Sequence, residues 1–415
     1  MSKPKGKDAI SMREIVSDSR SCTGCSACSQ VCPMGAVAMA ANDEGFLYPL
    51  IDEDKCSDCG LCIRTCPVNR ALGVAGAPMG THKGADSAGN VKGDGSKKKA
   101  FACYAKDDDI RDKSSSGGIF SQLAEKTLEK NGVVFGAGFD SDFRVRHSHI
   151  EGIDDLDMLR RSKYVQSDME DTFRDVNKFL REGRHVLFCG TPCQTAGLSS
   201  YLGGDHERLL ICDLACYGVP SPKVWSMYLE HLENKYASKV KSVSFRNKSG
   251  GWKNNRMDIA FENGDRYLVE TKKELYFMGF SKNIFNRTSC FDCKFRVWNS
   301  SADITLADFW GIERMGGIIE DDNKGVSLTI IHSPKGEEAL SEIADNVRIS
   351  PCDLDEAVKY NPRLVSSAAE PAGRKAFFAD MAAGYDFDRL RKKYMDNTSM
   401  KYKMKCMLKR MLGRG

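Results

Sequence analysis

Eight of the seventeen cysteines stand in two runs of identical spacing, each closed by a proline. The first is Cys22, Cys25, Cys28, Cys32-Pro33; the second is Cys56, Cys59, Cys62, Cys66-Pro67. Both read C-x2-C-x2-C-x3-C-P, a spacing that holds two [4Fe-4S] clusters, with the fourth cysteine of each run ligating the other cluster. Two residues between cysteines let one short loop wrap three corners of a cubane, and the far corner must come from elsewhere. One cluster is therefore assigned to Cys22, Cys25, Cys28 and Cys66, and the second to Cys56, Cys59, Cys62 and Cys32. Disulfides and zinc are the competing uses of cysteine, but zinc sites favour two pairs of ligands rather than two symmetric fours. The chemistry written here is one-electron transfer.

A sparser cysteine set lies further along: Cys189 and Cys193 around Thr-Pro, Cys212 and Cys216, and the pair Cys290-x-x-Cys293. By spacing alone it fits a third metal site, a thioredoxin-like dithiol or zinc. Cys103, Cys352 and Cys406 read as plain thiols. Ser114-Ser115-Ser116-Gly117-Gly118 opens a helical pattern, so it reads either as an ordinary cap and turn or as an anion cradle at a helix start. His147-x-His149 in a strand puts both imidazoles on one face. Lys163 suits a phosphate or a surface ion pair, and Phe309-Trp310 suits ring stacking or core packing.

These groups need a scaffold. A chain of 415 residues allows two or three domains with an ample core. The small unit carrying the cysteine runs reads as a ferredoxin-like α+β domain over 1–70. Residues 71–100 hold seven glycines and almost no large apolar residue, which is linker composition. Strand patterns then recur at Phe101–Tyr104, Val133–Phe139, His185–Cys189 and Leu209–Cys212, alternating with helical patterns after Gly118 and over Asp171–Arg181. That alternation predicts an α/β core, a mixed sheet with helices. No apolar run reaches the ~18 residues of a membrane helix, and the first twenty residues lack an apolar signal segment. Abundant cysteine without such a segment predicts a cytoplasmic redox protein. The net charge of +4 gives no nucleic-acid signature. It hides a basic tail: residues 391–415 carry nine Lys or Arg against one acid, which leaves the remainder at −4. This Met-rich tail, within 386–415, is either a solvated end or a contact for anionic lipid or an acidic partner.

The core resembles the beta-subunit family of coenzyme F420 hydrogenases and dehydrogenases. The resemblance rests on Ser115-Ser116-Gly117-Gly118, Ser162-Lys163-Tyr164-Val165-Gln166-Ser167, Gly190-Thr191-Pro192-Cys193-Gln194, Gly218-Val219-Pro220-Ser221-Pro222, Phe245-Arg246-x-Lys248-x-x-Gly251-Trp252, Cys290-x-x-Cys293-x-Phe295, Ala302-Asp303-Ile304-Thr305 and Asp308-Phe309-Trp310-Gly311, in order over about 200 residues. It implies a flavin core whose two parts run over 101–180 and 181–385, with FAD near Ser115, Ser116, Gly117 and Gly118. It implies that Lys163, Tyr164 and Thr191 lie along the flavin, and that Cys193, Cys216, Cys290 and Cys293 form a third [4Fe-4S] site. One departure is Cys216-Tyr217, where relatives often have Cys-His. The implied function is an iron–sulfur flavoprotein oxidoreductase. Electrons would pass between a ferredoxin-like or other redox partner, the clusters and FAD, with hydride exchange to an organic substrate or coenzyme, F420 or another. The alternatives are a non-catalytic electron-transfer subunit and an interaction protein with structural clusters.

Overall fold

The structure, a computed structural model, describes residues 15–16, 18–74 and 98–396. Most of the glycine-rich stretch 71–100, most of the basic tail 386–415, and Cys406 lie outside the described residues.

The duplicated cysteine spacing is also a duplicated backbone. Two five-residue helices, Ala27–Val31 and Leu61–Thr65, carry the third cysteine of each run, and the fourth, Cys32 or Cys66, is their C-cap. In the loops ahead of them Gly24 and Asp58 adopt φ of 69° and 53°, and Ser26 and Gly60 adopt 62° and 67°. Two left-handed residues per loop turn the chain tightly enough to aim three thiols inward. Pro67 then occupies the first position of the next helix, Pro67–Ala71, where its missing N–H costs nothing. Strands β1 (Val37–Ala41) and β2 (Leu47–Ile51) pair antiparallel beside these helices.

The core adds β3 (Lys99–Ala105), β4 (Val133–Phe139), β5 (Val145–Ile150), β6 (Val186–Gly190), β7 (Leu209–Leu214), β8 (Val240–Asn247), β9 (Arg256–Phe261), β10 (Arg266–Glu270), β11 (Ile304–Asp308), β12 (Ser327–Ile331) and β13 (Val347–Cys352). Eight of these form one mixed sheet in the order β13-β3-β12-β11-β7-β6-β4-β5. The run β11-β7-β6-β4 is parallel, while β12, β13 and β5 are antiparallel to their neighbours. All five residues of β6 are buried, as expected for a parallel strand covered on both faces. Its side chains alternate between two cores. Leu187 and Cys189 join Ile119 and Leu123 of the helix Ile119–Glu129 on one face. Val186 and Phe188 join Phe173, Val176 and Leu198 of the helices Thr172–Arg181 and Pro192–Leu202 on the other. The fold is thus mixed α/β. A separate antiparallel sheet, β10-β9-β8, closes an aromatic core built on Trp225, Tyr228, Phe245, Tyr276 and Phe285. Among the described residues no helix is long and apolar enough to cross a membrane.

The iron–sulfur unit is seated on the core by buried polar clasps. Arg287 is fully buried and spends its whole guanidinium there: Nε donates to Cys22 O at 2.8 Å, Nη1 to Gln166 Oε1 at 3.0 Å and Nη2 to Leu47 O at 2.9 Å. Its plane lies 4.2 Å from the Tyr48 ring centroid. Gln166 Nε2 donates to Thr23 O at 2.9 Å, and Arg374 grips Glu44 through both oxygens. Replacing Arg287 by Met leaves three acceptors without partners, at about 1 kcal/mol each. We expect Arg287→Met to lower the unfolding free energy by about 3 kcal/mol in urea titrations of the intact protein; an unchanged midpoint would contradict the clasp.

Candidate functional site

Two hollows lie between the duplicated loops. Cys22, Cys25, Cys28 and Cys66 line one, with Val16, Met39 and Val68. Cys32, Cys56, Cys59 and Cys62 line the other, with Met34, Val37 and Ile51. Each hollow therefore takes three thiols from one run and the last from the other. Among the described residues no three His, Cys, Asp or Glu are arranged to hold a single metal ion. On the lining of the first hollow Ser26 Oγ is buried without a protein partner, and the Thr23 hydroxyl is hydrogen-bonded to the Cys25 thiol. An orphaned hydroxyl beside four thiols suits an acceptor-rich group such as the sulfides of a cluster. The two hollows differ in exposure. Cys22, Cys25, Cys28 and Cys66 are buried, whereas Cys59 is exposed and Met34 beside it is 53% exposed.

The helix Pro192–Leu202 joins this unit to the core. Thr191 is its N-cap in a reciprocal capping box with Gln194, and Pro192 sits at its first position. Cys193 on its first turn interacts with Cys293, Cys216 and Cys25. Cys216 faces Cys290 and Cys293 in turn. The four core cysteines thus converge from three separate loops. Burial pushes the Cys216 and Cys290 thiols up to about 12, and Cys193 is raised by the same cause. Such thiols ionise only against a strong local cation, which a cluster's iron supplies. One donor already points at a sulfur, the Val219 N–H, which donates to Cys290 Sγ at 3.4 Å; Thr191 Oγ1, whose proton goes to Gln194 Oε1, lies 3.3 Å from Cys193 Sγ.

The carboxyl ends of β3, β4, β6, β7 and β11 share one edge of the sheet, where open α/β sheets bind ligands. Ser115–Gly118 lies there. A Cβ on Gly117 would stand 2.4 Å from Cys103 O, and Gly118 caps the helix Ile119–Glu129 at φ 91°, so this turn requires its glycines. Ser115 Oγ accepts from both the N–H and the O–H of Ser162, at 2.8 and 3.0 Å, tying the turn to Lys163-Tyr164. Lys163 Nζ is held by the carbonyls of Met158 and Arg160, 3.0 and 2.6 Å away. Lys248 Nζ reaches the carbonyls of Arg111, Ser116 and Lys324 at 2.6, 2.7 and 2.7 Å. Burial lowers both ammonium groups to about 7. Arg246, buried between Tyr164 and Asp308, leaves Nη2 without a partner. Two ammonium groups bonded to carbonyls rather than carboxylates and one guanidinium nitrogen without a partner make this edge positive, so the residues present fit a phosphate-bearing cofactor such as FAD. Trp310 stacks on Trp252 at 4.7 Å and 2°, while Phe309 is core.

The two histidines of β5 serve packing. His147 is buried, with Nδ1 2.9 Å from Ser167 Oγ and Nε2 3.1 Å from Cys189 O, and burial lowers it to about 4. His149 is exposed, 5.1 Å from each of the Phe135 and Phe179 ring centroids. Sequence reading missed Gln166 as a clasp, Arg287 and the orphan Arg246. Arg246 and Gln166 stand in the quoted family segments, but a lone polar residue in a motif does not reveal its partner.

A cysteine-rich unit of this kind on a mixed α/β core defines an iron–sulfur redox protein. Residues 21–70 match the 4Fe-4S dicluster domain. Residues 100–173 match the N-terminal part, and residues 183–357 the C-terminal part, of the coenzyme F420 hydrogenase/dehydrogenase beta subunit, more than half of the chain between them. The chain belongs to that family. No curated protein matches it. Among solved structures, a chain of the F420-reducing [NiFe] hydrogenase complex from Methanosarcina barkeri is similar at 19% identity and a TM-score of 0.43, over 64% of this chain and 89% of that one.

The two depressed lysines fix a pH dependence. Each is an ammonium in the unfolded chain up to about 10.5 and an amine in the fold above about 7. Between those values the unfolded state binds more protons, so stability rises with pH. In phosphate-free urea titrations, the wild type should gain stability over Lys248→Met between pH 7 and pH 9. A constant difference would contradict the buried ammonium.

Proposed function

We propose that the chain is an iron–sulfur flavoprotein oxidoreductase that links a one-electron redox partner to hydride chemistry on an organic substrate or coenzyme. In this reading Cys22, Cys25, Cys28 and Cys66 hold the inner cluster, and Cys32, Cys56, Cys59 and Cys62 the outer one. Cys193, Cys216, Cys290 and Cys293 hold a third, and FAD binds along Ser115–Gly118, Lys163, Tyr164 and Thr191. The observation that carries the reading is the helix Pro192–Leu202, which bears Cys193 on its first turn while Gly197, one turn further on, packs against Cys25.

The exposed Cys59 side suits exchange with a redox protein, and the buried inner quartet suits onward transfer to the core. FAD would supply the junction between one-electron and two-electron chemistry. The protein's own part is to hold that group. Lys163, Lys248 and Arg246 offer positive charge to phosphates, and Ser115 locks the turn against Ser162. Thr191 fixes the start of the helix that carries Cys193. The Tyr164 ring, 4.9 Å from Phe277 and 5.6 Å from Phe245, closes the edge against water.

Anoxic purification with iron and flavin counts tests this. Three filled cubanes and one FAD give about twelve iron atoms per chain. Cys290→Ser should lose about four of them while the eight-cysteine unit keeps its own. About eight iron and no flavin would leave an electron carrier without a catalytic centre.

A further inference from the structure

A directed chain of polar side chains crosses the core beneath the candidate site, and neither the thiol quartets nor the donor-rich edge uses it. It starts at half-buried Lys98, whose Nζ lies 2.6 Å from His332 Nδ1. His332 Nε2 is 2.7 Å from Thr305 Oγ1, and the Thr305 hydroxyl donates to Asp213 Oδ1. The Ser300 hydroxyl donates to the other carboxylate oxygen at 2.6 Å. Thr305 and Asp213 are 2% and 1% exposed, so bulk water does not reach the inner end.

The network orders its own protons. An ammonium has three donors and no lone pair, so His332 Nδ1 must accept from Lys98. Nε2 then carries the ring proton and donates to Thr305, whose hydroxyl donates to Asp213. Every bond points inward. Neighbouring Asp303 is built differently: one oxygen accepts the Ile211 backbone N–H at 2.8 Å and the other the Ser333 hydroxyl at 2.6 Å. A backbone amide cannot pass its proton on, so Asp303 fastens β7 to β11. Asp213 has hydroxyl donors on both oxygens.

We propose that Lys98, His332, Thr305 and Asp213 form a proton relay from the surface to a buried carboxyl group at the cofactor-binding edge. Asp213 is opposite Gly190 in the β6–β7 register, just ahead of Thr191 and three residues before Cys216. The proposal deepens the function proposed above and rests on it, because turning one-electron input into hydride output consumes protons as well as electrons. In one passage the Lys98 ammonium gives a proton to His332 Nδ1. The Nε2 proton moves to Thr305 Oγ1, and the Thr305 proton moves to Asp213. The carboxylate becomes a carboxylic acid and the lysine a neutral amine, which water reprotonates. No electron moves. Burial raises the Asp213 carboxyl to about 6, so both of its states are populated near neutrality. Burial and the adjacent Lys98 charge hold His332 near 3, so its ring is neutral and passes protons by changing tautomer. The other titratable groups facing Asp213 are the Cys189 and Cys212 thiols, both kept protonated by burial, with Lys163 beyond Cys189.

The test follows the Asp213 carboxylic-acid C=O band, assigned with Asp213→Asn, by infrared spectroscopy of the oxidised holoprotein near pH 6. After a jump into D2O, the band should exchange at least about tenfold more slowly in Thr305→Val and Lys98→Met than in the wild type. Thr305→Ser should restore the rate. A merely structural Thr305 would leave exchange unaltered in Lys98→Met, and unaltered exchange in both variants overturns the relay. Flavin counted in the same samples judges the proposed function separately, since exchange in oxidised protein needs no turnover.

Discussion

The seating of the first cysteine loop on the core depends on a missing methyl group. A Cβ at Gly197 would stand 3.0 Å from Cys25 Cβ and 3.1 Å from its sulfur, closer than packed atoms settle. A methyl group there would force the first cysteine loop to give by a few tenths of an ångström against the helix Pro192–Leu202, whose opening turn carries Cys193. Arg287 holds the same loop through Cys22 O and reaches the next hairpin at Leu47 O. Electron exchange falls steeply with distance, so the approach of the two thiol systems depends on this glycine as well as on the polar clasps.

The second constraint is strand direction. Parallel neighbours put their carboxyl ends on one edge, and each end leads into a loop that supplies chemistry. β6 leads to Thr191 and Cys193, β7 to Cys216, and β11 ends in Asp308, which anchors Arg246 and the Trp252 indole. β3 leads to the Ser-Ser-Gly-Gly turn. The small sheet of β8 to β10 then brings Arg246 and Lys248 over that edge from the far side. The core quartet is therefore a product of topology: its members lie in loops that meet only after the sheet has formed.

This explains what was legible from the chain alone. The cysteine runs were readable because their spacing is local and repeats. The central strands were readable as unbroken apolar runs, and the Ser115–Gly118 turn as a helix start. The core cysteines were visible as chemistry but not as a group, since residues 193, 216 and 290 share no spacing, and their grouping came from resemblance to a family. Arg287 was invisible: nothing around residue 287 announces a partner 265 positions away. The Asp213 relay was hidden for the same reason, because it draws one residue each from four distant segments. The histidines of β5 show the opposite failure. Their shared face was readable, yet only packing reveals that both His147 ring nitrogens are already engaged.

Two opposite electrostatic deficits meet at this edge. The Cys193, Cys216 and Cys290 thiols are held protonated by burial, with Arg287 and Arg296 the cations acting on Cys290 and Cys216. A few residues away, Lys163 and Lys248 are pressed toward neutrality by the same lack of water, with carbonyls as their hydrogen-bond partners. A chain selected for stability alone would fill both places with apolar side chains, which cost no desolvation. Retaining thiols that want cations beside lysines that want anions makes sense if each deficit is met by a bound group. Under the proposed function, iron would answer the first and phosphate the second. Binding either group would then relieve strain that folding has already accepted, and would couple cofactor loading to stability on both sides of the same edge.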